Sequence, residues 1–200
     1  MSLMDKLFSG GKEIPKSAHE TKGEHNPSLD LPIDEKFIIE FKKSGGKFVY
    51  CENLKEVNIS LAHILMENQW QHQQLLCVDP SLKVQFESLL FFTELAQDSE
   101  ILFTQCENLI AENGTILVCS HQLLQLQPSR FPENFIVFAR TSQILKSLNE
   151  ALKYIRQKYN TLPANITSLK NNTVTKENEQ DFMNYGTKTK NLYLLLLEDF

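Results

Sequence analysis

Between Ile33 and Gln105 the sequence alternates helix-like and strand-like segments, and no other feature constrains the fold as tightly. Phe37, Ile38 and Phe41 fall at helical spacing, with Asp34 placed to cap their helix and Ser44-Gly45-Gly46 to end it. A strand follows over residues 47–51. Residues 53–68 then read as a helix with Leu54, Val57, Leu61, Ile64 and Leu65 on one side. A second strand spans 73–78. Asp79-Pro80-Ser81 is a helix-start signal for residues 82–90, and a third strand spans 101–105. Such alternation favours crossover connections and a largely parallel sheet.

Further along, the elements crowd together. Residues 107–112 read as a short helical turn, Asn113-Gly114 as a turn, and 115–119 and 135–139 as strands. The close spacing points to a mixed sheet, so the expected class is α/β with a mixed, largely parallel sheet. Thr141 is placed to cap a long helix reaching Tyr159, with Ile144, Leu145, Leu148, Leu152 and Ile155 on its inner face. Residues 161–186 are polar and irregular, and 191–198 form a closing strand. There is no internal repeat and no glycine-rich phosphate loop. Gly45-Gly46 precedes a strand, the wrong side for a dinucleotide fingerprint.

A chain of 200 residues suits one domain and a tail. Pro15, Pro27, Gly10, Gly11 and Gly23 break up residues 1–31, where Leu3, Met4, Leu7 and Phe8 are the apolar group. We therefore expect a flexible tail over 1–31 and an α/β domain over 32–200. The formal net charge is −5, and the basic clusters Lys42-Lys43 and 188–190 are short, which excludes a general nucleic-acid binder. No run approaches the roughly 18 apolar residues of a membrane span, and the N-terminus lacks a signal-type apolar stretch. A cytoplasmic chain without membrane insertion is expected. Cys51, Cys77, Cys106 and Cys119 form no C-x-x-C pair, so we expect no metal, no iron–sulfur cluster and no other cofactor in the chain itself. The thiols read as small hydrophobes.

The stretch Ile110-Ala111-Glu112-Asn113-Gly114-Thr115-Ile116-Leu117 is similar to the I-A-E/D-x-G-T/S-hydrophobic segment of the lactate-utilisation (LUD) family. The preceding strand with a turn containing Thr104 fits that family. So do the strand Phe135-Ile136-Val137-Phe138 with Thr141-Ser142-Gln143-Ile144 after it, and Tyr185-Gly186 before the last strand. The resemblance covers roughly residues 33–200. It implies a three-layer α/β fold like that of sugar-phosphate isomerases and CoA-transferases. It also implies a bacterial setting in which L-lactate is oxidised to pyruvate, with a LUD-only subunit accompanying iron–sulfur subunits. This chain departs from the family in two segments. Ser168-Leu169-Lys170-Asn171-Asn172-Thr173 replaces a Gly-Pro-Ser element, and Gly186-Thr187-Lys188-Thr189-Lys190 replaces His-Gly-Pro. Both changes remove groups suited to an anion pocket.

Glu112 is the first candidate catalytic residue. Glu112-Asn113-Gly114 is similar to the Ser-Glu-Asn-Gly motif of one class of CoA-transferases, with Ala111 at the serine position. That likeness implies a carboxylate nucleophile forming a glutamyl thioester. Gly114 would admit close approach of an anion, and Thr115 would add a hydroxyl. Thr104, Asn113, Gly114 and Thr115, with Gly186, Thr187 and Lys188, are the expected ligand-binding positions. The competing reading is that Glu112 caps or solvates a turn whose positive φ Gly114 supplies. His19, His25 and His63 read as solvated, and His121 as a loop histidine without an acidic partner in sequence. Trp70 reads as a partly buried loop aromatic and Arg130 as a surface arginine. Two functions compete. One is an accessory subunit of a lactate-oxidising system working with iron–sulfur proteins. The other is a CoA-transferase-like or sugar-phosphate-binding enzyme using Glu112.

Overall fold

A computed structural model describes residues 31–123, 131–171 and 186–199. Its principal sheet is built from β1 (Lys47–Cys51), β2 (Gln74–Leu76), β3 (Phe91–Thr93), β4 (Ile101–Gln105), β7 (Asn134–Arg140) and β11 (Asn191–Leu197). Their order is β1-β11-β7-β4-β2-β3, and every pairing is parallel. The fold is thus α/β around a parallel sheet, as the alternation predicts.

Both faces of this sheet are covered, which is why its central strands read as unbroken apolar runs. On β7, Phe135, Val137 and Ala139 enter one core while Ile136 and Phe138 enter the other. On β11, Leu192, Leu194 and Leu196 alternate in the same way with Tyr193, Leu195 and Leu197. Helices α2 (Leu54–Glu67) and α3 (Pro80–Phe86) cover the second face through Val57, Leu61, Ile64, Leu65, Leu82 and Phe86. Asn53 caps α2 by accepting the Glu56 N–H at 3.1 Å, and Asp79 caps α3 through the Ser81 and Leu82 N–H groups.

Helix α1 (Ile33–Lys43) covers the first face with Phe37, Ile38 and Phe41. It begins one residue before Asp34, with Pro32 at the cap, and Asp34 accepts the neighbouring Glu35 N–H instead. Sharing that core is a second sheet, ordered β10-β9-β6-β5-β8. Its strands are β5 (Asn108–Ile110), β6 (Thr115–Val118), β8 (Ile144–Leu145), β9 (Thr167–Asn171) and β10 (Gly186–Thr189). Here the antiparallel pairs β5·β6 and β6·β9 occur, so the mixing expected near Asn113-Gly114 lies outside the parallel sheet. Between β6 and β7 lies the one-turn helix α4 (Ser120–Leu123). Helix α5 (Leu148–Lys158) closes the outer face through Ala151 and Ile155 against Ile110 and Leu117.

Four local expectations need correction. Residues 107–112 are not a helical turn. The Glu107 N–H donates to the Leu117 carbonyl at 2.8 Å and β5 pairs with β6, so strand pairing overrides a locally helical signal. Thr104 is in strand β4, not in a turn. Thr141 caps no long helix. The chain makes a 3-10 turn over Thr141–Gln143 and then β8, which pairs with β5. The helix starts later, under Ser147, and Leu148 is exposed. The polar stretch after 161 contains β9, whose Leu169 alone supplies a buried apolar side chain. Most of that stretch, residues 172–185, lies outside the described residues, as does the expected tail except Leu31. Among the described residues no helix is long and apolar enough to cross a membrane.

Candidate functional site

The chain reverses between β5 and β6 over residues 111–114, with Glu112 at the tip. The Ala111 and Glu112 N–H groups donate to the Leu145 and Lys146 carbonyls at 2.9 and 3.1 Å, tying the turn to β8. Gly114 N–H closes it onto the Ile110 carbonyl at 2.9 Å. Glu112 and Asn113 are exposed, whereas Gly114 and Thr115 are buried. Gly114 has φ +63°, and a Cβ there would overlap the Phe41 nitrogen and the Glu40 carbonyl carbon. The space beside Gly114 is therefore filled by the backbone of α1. The Thr115 hydroxyl donates to Asn113 Oδ1 at 2.7 Å, so these two polar groups bind each other.

Thr104 lies away from this turn, in the parallel sheet. Its hydroxyl donates to the Gln105 and Gln122 carbonyls at 3.1 and 3.4 Å. Gly186, Thr187 and Lys188 belong to β10, in the same sheet as the Glu112 turn. Thr187 is in register with Leu169 of β9, which in turn is in register with Ile116 of β6. The fold thus brings the two predicted clusters into one sheet and leaves Thr104 in the other. Arg130, His19 and His25 lie outside the described residues, and His63 is exposed. Trp70 is buried, edge-on to Tyr193 with ring centroids 6.1 Å apart.

Sequence reasoning missed a second cluster, centred on Glu107. This carboxylate, placed just before β5, has a side chain 0% exposed. Its Oε1 accepts from the Gln122 amide at 2.8 Å, the Tyr159 hydroxyl at 2.8 Å and the Cys119 thiol at 3.3 Å. Its Oε2 accepts from Lys158 Nζ at 2.9 Å. Cys119 directly follows β6, Gln122 is on α4, and Lys158 and Tyr159 end α5, so one acid ties three elements together. His121, also on α4, packs edge-on against Tyr159 at 4.8 Å. The histidine that lacked an acidic partner in sequence thus has Glu107 beside it. One signal was available: an acid set between Cys106 and Asn108-Leu109-Ile110 is anomalous in an apolar stretch.

Electrostatics fix the charge states here. Burial pushes the Glu107 carboxyl up, but the hydrogen bonds from Lys158, Gln122 and Tyr159 outweigh it and leave it below the usual carboxylate range. Burial opposes the charge on Lys158, yet Glu107 holds the ammonium above its ordinary value. The Cys119 thiol is pushed up to about 11, first by burial and then by the neighbouring Glu107 charge. The cluster is an ion pair beside a neutral thiol.

Comparison with known proteins gives two findings. The family model of the LUD domain matches residues 87–195, a span that includes both Glu112 and the Glu107 cluster. The fold is similar to that in the crystal structure of a DUF162 family protein from Deinococcus radiodurans. The TM-score is 0.57 at 15% identity, covering 82% of this chain and 96% of that one. No curated protein matches the chain.

Proposed function

The chain belongs to the LUD-domain family, and on that premise we propose that it serves lactate utilisation as a non-catalytic accessory subunit of a lactate-oxidising system, beside iron–sulfur proteins. The observation that carries the non-catalytic part is the filled space at Gly114. A carboxylate nucleophile acting on a thioester or phosphate ester needs donors aimed at the developing charge. At the Glu112 turn the glycine face packs on α1, and the Asn113 and Thr115 side chains hydrogen-bond to each other. The four thiols are each buried, three of them in the apolar clusters on the two faces of the main sheet and Cys119 against Glu107. That distribution supports placing the redox clusters on partner proteins.

The test is purification of the full tagged chain from its own cells grown on lactate. An iron–sulfur protein should co-purify, and the complex should reduce a dye when lactate is added. A chain that elutes alone and oxidises nothing would overturn the subunit reading. The rival enzyme reading draws on the exposure of the Glu112 carboxylate. It predicts that borohydride quenching of the protein mixed with an acyl-CoA labels a peptide containing residues 110–115. We expect no label.

A further inference from the structure

We infer that Glu107, Cys119 and His121 form a binding site for a single zinc-class divalent cation, with an open fourth position. The sequence, having no close cysteine pair, predicts no metal; the site is assembled by the fold. A carboxylate oxygen of Glu107, Sγ of Cys119 and an imidazole nitrogen of His121 all lie within 4.8 Å of one another. Among the described residues this is the one such group of three. Carboxylate, thiolate and imidazole are each ordinary zinc ligands, and three protein ligands with a vacancy is the pattern of an open zinc site.

The geometry supports this in detail. With bonds of about 2.0–2.3 Å, the ligand atoms of a tetrahedral ion stand roughly 3.3–3.8 Å apart. Cys119 Sγ is 3.3 Å from Glu107 Oε1, already at that spacing. His121 is exposed with its ring edge-on to Tyr159, so reaching ligand spacing from within 4.8 Å takes a shift of that ring across the Tyr159 contact. The Cys119 thiol hydrogen lies between two acceptors, Glu107 Oε1 and Gln122 Oε1, the latter 3.1 Å from Sγ. A cation between sulfur and Oε1 takes the place of that hydrogen. Gln122, Tyr159 and Lys158 keep their bonds to Glu107 and become the outer shell that orients the ligand.

The balance is simple. The S–H bond breaks, a metal–sulfur bond forms, and one proton leaves to solvent. With Glu107 and the Cys119 thiolate negative and Lys158 positive, a bound dication leaves a net charge of about +1 at the site. The open position therefore favours hydroxide or a small anion over a cationic or neutral ligand.

The experiment uses the full chain stripped with a chelator and titrated with Co(II), then Zn(II). We expect one Co(II) per chain with a thiolate-to-cobalt charge-transfer band, displaced by one equivalent of Zn(II). About one proton should appear per Zn(II) bound, read with an indicator in weak buffer. Cys119→Ser should abolish the band, and Cys77→Ser should keep it. His121→Ala changes an exposed side chain, so the fold should survive. It should loosen the metal by more than the roughly 10–100-fold typical of losing an outer-shell partner. No band with native protein, or a band and affinity that persist through both Cys119→Ser and His121→Ala, would overturn the inference. Should Cys119→Ser fail to fold, the affinity of the His121→Ala variant decides alone.

Discussion

Gly114 and Phe41 compete for one volume: a Cβ added at Gly114 would overlap the Phe41 nitrogen and lie 2.7 Å from its Cα. Two residues far apart in sequence thus fix the approach of α1 to the β5–β6 turn. Gly114→Ala combines a positive φ with a backbone overlap that no side-chain rotation relieves. We expect a loss of at least about 3 kcal/mol, read from urea unfolding. A variant as stable as the parent would show that α1 shifts freely on the second sheet.

Glu107→Ala should be the costliest single truncation of a charged group in the described chain. It removes the shared acceptor of Lys158, Gln122, Tyr159 and Cys119. Breaking a buried pair typically costs about 3–5 kcal/mol. Lys158 is 42% exposed and can turn to water, which places the expectation near the low end, about 3 kcal/mol. Thermal unfolding of the metal-free protein would check this. A change below about 1 kcal/mol would mean that the cluster is not a tie between elements.

Asp199 gives the chain an acid-sensitive contact. Burial pushes its carboxyl up, but hydrogen bonds from the Ser142 hydroxyl and N–H and from the Thr141 hydroxyl together outweigh it and bring it below its ordinary value. A depressed folded value means stabilisation above the unfolded value, lost as pH falls through the folded one. The parent should exceed Asp199→Asn in stability near neutrality, and the difference should shrink below about pH 4. Unfolding midpoints measured from pH 7 to pH 3 test this. A gap that stays constant with pH would assign the contact to packing alone.

Cys77 should resist alkylation. Burial pushes its thiol up to about 11, and the thiolate is the reactive form. At pH 8 iodoacetamide should label Cys77 at the rate of global unfolding, as read by mass spectrometry of quenched samples. Fast labelling in the native protein would reveal local opening at the end of β2.

Glu112→Gln should leave the melting temperature unchanged, because the exposed carboxylate makes no hydrogen bond among the described residues. It should also leave lactate-dependent dye reduction by the complex intact. A loss of that activity with the fold preserved would return Glu112 to candidacy as a catalytic residue.

Much of this architecture is legible because the sheet's requirements are written locally. Residues 101–103 and 192–197 are apolar on both faces, and Asn53 and Asp79 cap helices from within a few residues. The second sheet is less legible. β9 is polar except for Leu169, and β8 has two residues, so neither carries a period that marks a strand. The Ile144-Leu145 pair therefore blended into the helix that follows it. The Glu107 cluster was illegible for a different reason. Its partners lie 12, 15, 51 and 52 residues away, with no fixed spacing to betray them. Glu112 is prominent in the sequence because its turn motif is short and contiguous.

The position of β11 carries a kinetic consequence. This strand is inserted between β1 and β7, so β1 has no other strand neighbour among the described residues. While the chain is being synthesised, β1 and α2 emerge long before residues 191–197 leave the ribosome. Through that interval β7 presents an unpaired edge, and β1 has no sheet to join. Sequence separations this large slow folding, and open edges invite association between nascent chains. Closure of the sheet is thus a late event that waits for its own keystone, and chaperone dependence should fall on the nascent chain more than on the finished protein.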